Sequence, residues 1–334
     1  MMKQLRRLVV APFGDGSIPR TEAGVPLYEG GVGLWDGLIR DGEICAEVKV
    51  DLSKLEPTVT LLVDQSSSMK EPFGDQLRWF AVYETLMDSQ VGVVKRLESQ
   101  VRFGLTLYTS DGGSTGGVCP RLTKVPPALN NYQSIDDIYG PARWRGDTPT
   151  GDSVDAVTEE LKRETWAGAK AIVLATDGEP DTCENSSPDS EAEREAARQL
   201  SVDAVQRARE AGITVYVISV GDDVGDAHLA DLAKAGGGSQ AVPFKALDSS
   251  QLVAAFDSIL AGLIDCRFTL EGEIDPLLAG QGRVSLNGQS LLFGEEWTLV
   301  DSKTLEVLGE PCETLLAGGD HQVEAVFPCG AVIN

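Results

Sequence analysis

The sequence predicts a doubly wound α/β domain with a mostly parallel sheet, followed by a small all-β C-terminal module. Three observations carry this reading. Runs at 58–64 (TVTLLVD), 101–109 (VRFGLTLYT), 169–177 (AKAIVLATD) and 213–221 (ITVYVISVG) are apolar almost throughout, as strands covered on both faces are. Amphipathic helical periodicity separates them. After Cys266 the apolar period falls from three or four residues to two.

Taken in chain order, residues 1–44 are Gly-rich and aperiodic (GDGSIPRTEAGVPLYEGGVGLWDG) and read as an irregular leader or linker. The α/β domain is expected over 45–265. After the first strand, Phe80, Tyr83, Met87, Val91, Val94 and Leu97 step by three or four, one face of a long helix. The run VCPRLTKV (118–125) follows the second strand after the short turn DGGSTGG. A connection that short suits a hairpin, so an antiparallel edge strand is predicted there. Ala197, Leu200, Ala204, Ala208 and Ala211 mark a helix before the fourth apolar strand, and Leu252, Phe256, Ile259 and Leu263 mark a last one. Residues 266–334 form the β module. In it, Asn287-Gly288 between alternating stretches is a two-residue hairpin signal.

Composition excludes several function classes. A net charge of −24 with 28 Lys and Arg argues against nucleic acid, whose phosphates require a basic face. The same charge suits cations and basic partners. No apolar run approaches the roughly 18 residues of a membrane-spanning helix. The basic start MMKQLRRLVVAPFGDG has too few apolar residues before Gly14 for a signal-peptide core. The six cysteines, Cys45, Cys119, Cys183, Cys266, Cys312 and Cys329, are even in number, widely spaced and without a CxxC. With two histidines in the chain, disulfides in an oxidising compartment fit better than zinc, and a secreted or cell-envelope location is expected. The expected pairings are Cys45–Cys266, Cys119–Cys183 and Cys312–Cys329.

Ligand sites of open parallel sheets lie beyond the carboxyl ends of the strands. Three loops leaving such ends are rich in oxygen donors. The first carries Asp64, Ser66 and Ser68 in the pattern D-x-S-x-S, the loop 143–157 carries Thr148 before a helix, and the strand AIVLATD ends in Asp177 followed by Gly178. Two carboxylates with several hydroxyls on one sheet edge suit a hard cation, Mg2+ first, with Mn2+ or Ca2+ as alternatives. Few carboxylates leave such an ion able to accept one more from elsewhere.

The segments DQSSSM, GDTPTGDS and ATDGEP, in this order, resemble the metal-ion-dependent adhesion site (MIDAS) of von Willebrand factor type A domains, over about residues 56–264. The resemblance implies a Rossmann-like sheet with one antiparallel edge strand. It implies Ser66, Ser68 and Thr148 as direct metal ligands, with Asp64 and Asp177 acting directly or through water. It also implies a protein partner offering an Asp or Glu carboxylate. The family usually has Gly where Ser67 stands, a departure that removes no ligand. The segments LGEPC and VFPCG are similar to a β module attached to type A domains in secreted bacterial proteins. A second reading is a non-adhesive scaffold subunit, as in magnesium-chelatase assemblies.

Other motifs are weaker. The Arg145-Gly146-Asp147 tripeptide lies within the metal loop, where its conformation is already committed. Gln65 and Ser67 are expected to point away from the site and to tolerate change. Trp144 and Phe73 flank the loops as contact rim or local packing, and the acidic stretch Asp177–Glu195 reads as a solvated loop and helix start. No catalytic triad, D-x-D phosphatase motif or P-loop is found, so a binding module is expected, not an enzyme.

Overall fold

The computed structural model describes residues 47–50, 52–112, 116–316 and 321–333. The leader 1–44 and Cys45 lie outside them. The chain divides into two compact units.

The α/β unit spans Leu55–Asp265. Its strands are β1 (Thr58–Asp64), β2 (Arg102–Asp111), β3 (Val118–Ala128), β4 (Lys170–Thr176), β5 (Ile213–Val220) and β6 (Phe244–Ala246), in the order β6-β5-β4-β1-β2-β3. All neighbours pair in parallel except β3, antiparallel to β2 at the edge, as the short turn predicted. Every residue of β1 is buried. Val59, Leu61 and Val63 face one helical layer and Leu62 the other, because successive side chains in a strand alternate faces. The first layer contains α1 (Arg78–Met87), α2 (Val93–Leu97), α3 (Tyr132–Tyr139) and α7 (Ser249–Ala261); the second contains α4 (Thr150–Leu161), α5 (Glu191–Glu210) and α6 (Asp226–Gly237).

The long helix expected from Phe80 to Leu97 is two helices. Asp88 Oδ1 accepts the Gln90 and Val91 N–H groups, both at 2.8 Å, which ends α1. The chain restarts at Gly92, where a Cβ would lie 2.5 Å from the Asp88 backbone. Val91 is consequently 69% exposed instead of buried. In α5 the expected face is buried at Ala197, Ala204 and Ala208, and in α7 at Leu252, Phe256 and Ile259.

The second unit is a β module. Strands 283–286, 289–291 and 323–328 form one antiparallel sheet with Glu47–Val50, and 297–301, 304–307 and 267–270 form another with Leu52–Lys54. Residues 47–54 therefore belong with the C-terminal strands and not with the α/β unit, because they supply an edge partner to each sheet. The Asn287-Gly288 hairpin has φ of 52° and 81°, the left-handed pair that a two-residue turn requires. Trp297, Val284, Leu305, Ala325 and Phe327 form its buried centre. The helix Gly309–Leu316, with Pro311 in its first turn, follows strand 304–307.

The disulfides correct two of three expected pairings. Cys119 pairs with Cys183 as expected. Cys266 pairs with Cys312, not with Cys45, because the start of strand 267–270 packs beside the 309–316 helix. Cys329 is disulfide-bonded, but not to Cys312.

Candidate functional site

The strand order reverses between β1 and β4, where the topology leaves a crevice at the strands' carboxyl ends. Asp64 ends β1, Asp177 follows β4, and the two strands pair in register at Val63 and Ala175. Both carboxylates have zero solvent exposure. The structure brings all five sequence-predicted residues to this edge.

Asp64 is held on every side. Its Oδ1 accepts the Ser66 N–H at 2.8 Å, and its Oδ2 accepts the Thr176 hydroxyl at 2.7 Å and the Tyr108 hydroxyl at 3.2 Å. The Ser66 and Ser68 hydroxyl oxygens lie 2.9 Å apart, and Ser68 donates to Asp177 Oδ1 at 2.7 Å. Thr148 stands two residues before α4, and Gly178 lies between it and Ser68. A Cβ at Gly178 would sit 3.4 Å from Ser68 Oγ and 3.7 Å from Thr148 Oγ1. The glycine thus leaves a small cradle lined by two hydroxyls from different loops.

The loops are stitched together. Gln65 N–H donates to the Tyr108 carbonyl at 2.9 Å, and its Nε2 donates to the Arg143 carbonyl at 2.7 Å. Gln65 does turn away from the hydroxyls, but it is buried and fastens the first loop to the second, so it is not free to change. Ser67 is exposed and donates to the Gly146 carbonyl at 3.1 Å. Gly146, at φ +67°, crosses so close to the Ser110 carbonyl that a Cβ would lie 1.9 Å from it. Asp147 Oδ2 accepts the Ser110 hydroxyl at 2.7 Å, which fixes the Arg145–Asp147 tripeptide into the loop. Phe73 is buried, and Trp144 packs edge-on against Phe80 with ring centroids 5.9 Å apart, so both are local packing.

Sequence reasoning missed several participants. Thr176 and Tyr108 hold Asp64 from beneath, and Tyr108 lies 3.2 Å from Thr150 Oγ1. Asp181, read as part of a solvated loop, is only 8% exposed. It accepts the Thr148 N–H at 2.6 Å and returns its own N–H to the Thr148 carbonyl at 3.0 Å. Most consequential is Arg78 at the start of α1, whose Nη1 donates to Asp177 Oδ2 at 2.9 Å. An Arg in an otherwise apolar helical stretch was the available signal.

Burial, and then the charge of Asp177, raise the pKa of Asp64. Burial also raises that of Asp177, against the pull of Arg78 and Ser68. Asp181 is pushed up to about 7 by burial, against the Thr148 N–H. Ionising Asp64, Asp177 and Asp181 together is therefore costly with Arg78 as the buried counter-charge, and a bound cation would offset that cost. Among the described residues no group of three or more His, Cys, Asp or Glu is arranged to hold a metal. The donors converging here are instead three hydroxyls with two carboxylates, a set that could hold a hard cation.

A family model described as the von Willebrand factor type A domain matches residues 58–258. The chain belongs to that family. Comparison with curated protein sequences finds no match. Among solved structures, the type A domain resembles the PilB minor pilin of Streptococcus sanguinis at 16% identity and TM-score 0.50, covering 63% of this chain and 61% of that one. The pilus adhesin SpaC of Lactobacillus rhamnosus GG matches at 15% identity and TM-score 0.48, covering 85% and 43%. Proximal thread matrix protein 1 of the mussel byssus, with a zinc-occupied MIDAS motif, matches at 16% identity and TM-score 0.41, covering 64% and 47%. The matched region is less than two thirds of each of these chains. At such identities the likeness concerns the fold alone.

Proposed function

We propose that this type A domain binds a protein partner through a divalent cation, Mg2+ first, with Mn2+ or Ca2+ as alternatives, at the edge formed by β1 and β4. Ser66, Ser68 and Thr148 would hold the ion, with Asp64 and Asp177 supporting them. When bound, such an ion supplies a hard Lewis-acid position for an Asp or Glu carboxylate of the partner. The carrying observation is the convergence of Ser68 and Thr148 around the Gly178 cradle, beside the two fully buried carboxylates Asp64 and Asp177.

The residues divide the work. Asp64, fixed by Ser66, Thr176 and Tyr108, sets the position of the first loop. Asp177 accepts the Ser68 proton and so leaves the serine's lone pairs free for an ion. Asp181 holds the Thr148 backbone in place. None of these steps is catalytic; the domain binds. Disulfide bonding of every described cysteine and the pilus proteins among the structural neighbours support a secreted or cell-envelope setting over a cytoplasmic scaffold.

The test adds acetate, with acetamide as the uncharged control, to the Mn2+-loaded protein and follows water-proton relaxation. Displacement of metal-bound water by acetate alone supports the reading. No difference between acetate and acetamide contradicts it.

A further inference from the structure

A fourth loop reaches the site, through Arg78. The Arg78 side chain is 7% exposed, yet it bridges two carboxylates from different loops. Nη1 donates to Asp177 Oδ2 at 2.9 Å, and Nη2 pairs with Asp223 Oδ2 at 2.7 Å. Asp223 lies in the loop after β5 and its own side chain is 59% exposed. The guanidinium sits in a prepared slot. Gly221, at φ +103°, faces it so closely that a Cβ would lie 2.9 Å from Nη2. The loop is tied down a second time, since Glu179 Oε1 accepts the Gly225 N–H at 2.9 Å.

This arrangement gives each oxygen of Asp177 a donor, the Ser68 hydroxyl on Oδ1 and the Arg78 guanidinium on Oδ2. We infer that Arg78 is a positioning residue of the cation site: its charge, paired to Asp177, weakens that carboxylate as a direct ligand and sets the site's net charge, and Asp223 governs how much of that charge the site feels. The inference rests on the cation reading above. A carboxylate placed directly on the ion would satisfy part of its charge and weaken its attraction for a partner's carboxylate. A guanidinium on that carboxylate does the reverse, lowering affinity for the cation alone while keeping the ion receptive to an anion. Asp223 offsets part of the guanidinium charge from the outer side.

The experiment measures Mn2+ binding to the full chain by calorimetry for the wild type, Asp223→Asn, Arg78→Gln and the double variant. Asp223 is exposed and outside the ligand set, so its substitution leaves the fold intact. The expected result is Mn2+ affinity lowered about three- to tenfold by Asp223→Asn, raised by Arg78→Gln, and changed less than about twofold by Asp223→Asn in the Arg78→Gln background. Arg78→Lys, which keeps the charge, restores sensitivity to Asp223→Asn should Arg78→Gln fold poorly. An unchanged affinity in Asp223→Asn, or an equal loss with and without Arg78, overturns the inference while leaving the cation reading in place. Absence of Mn2+ binding to the wild type overturns both.

Discussion

Ser68 and Asp177, 109 residues apart in the chain, meet through a hydrogen bond of 2.7 Å in which the serine donates. The direction of that bond decides what each residue can do. A hydroxyl whose proton is already accepted by a carboxylate presents only lone pairs to whatever approaches, so Ser68 is primed as an oxygen donor. Replacing Ser68 with Ala removes a proposed ligand from a partly exposed position and leaves the buried carboxylates in place. The expected outcome is a Mg2+ affinity lowered by about tenfold or more, with metal-free stability lowered by about 1–3 kcal/mol because Asp177 Oδ1 loses its donor. Calorimetric titration and denaturant unfolding check the two halves separately.

Gly178 provides a steric test of the same cradle. Its missing Cβ would stand between Ser68 Oγ and Thr148 Oγ1, at distances that are ordinary van der Waals contacts. Gly178→Ala is expected to fold with near wild-type stability and to lose most of the stabilisation that added Mg2+ confers. Thermal unfolding with and without Mg2+ distinguishes this from a general destabilisation, which would lower both curves equally.

The Cys119–Cys183 disulfide joins β3 to the loop beyond Asp177 and closes 64 residues of chain. The chain-entropy model assigns a loop of that length about 4 kcal/mol. A Cys119→Ser/Cys183→Ser double variant is expected to lose stability of that order in denaturant unfolding. The loop also has non-covalent ties, since Asp152 Oδ2 accepts the Cys183 N–H at 3.0 Å and Asp181 holds Thr148. Mg2+ binding should therefore survive in the folded fraction.

His228 gives the pH dependence a definite sign. It is 6% exposed on α6, and burial lowers its pKa from the ordinary 6.5, against the opposing charge of Glu179. The folded protein then resists a proton that the unfolded chain accepts, so acidification favours unfolding. The histidine's stability contribution is present above about pH 6.5 and is lost as pH falls below it. His228→Gln should flatten the stability profile between about pH 7 and 5.5, as measured by denaturant unfolding at stepped pH.

Much of the α/β architecture was legible because buried parallel strands have an unmistakable composition. Leu61, Leu62 and Val63 are apolar in succession within a short run rich in β-branched residues and bounded by Pro57 and Asp64, which suits a strand covered on both faces. The break between α1 and α2 was not legible. Met87, Val91 and Val94 keep helical spacing straight through it, while the break itself depends on one local cap at Asp88. Likewise, α3 and the 309–316 helix are too short for periodicity to show, and the second contains a Pro. The Cys266–Cys312 pairing depends on how that unread helix packs.

At the site, the five donors could be read because each directly follows or precedes a recognisable element. The residues that hold them could not. Thr176 and Tyr108 look like ordinary strand residues, and Gln65 and Asp181 look like surface residues until their loops are folded. Arg78 stands out at the head of an apolar stretch, but nothing local shows that two distant aspartates will meet it.

The central claim is that these five residues form one cation site. The direct measurement is thermal unfolding of wild type, Asp64→Ala and Thr148→Ala after chelation, followed by titration with Mg2+, Mn2+ and Ca2+. At a cation concentration of about one hundred times Kd, binding to the folded state alone contributes about 2.7 kcal/mol, a rise of roughly 5–10 °C for a domain of this size. The account predicts that rise for the wild type and little or none for either variant. An equal response of all three proteins to the cations, or no response of the wild type, would contradict it.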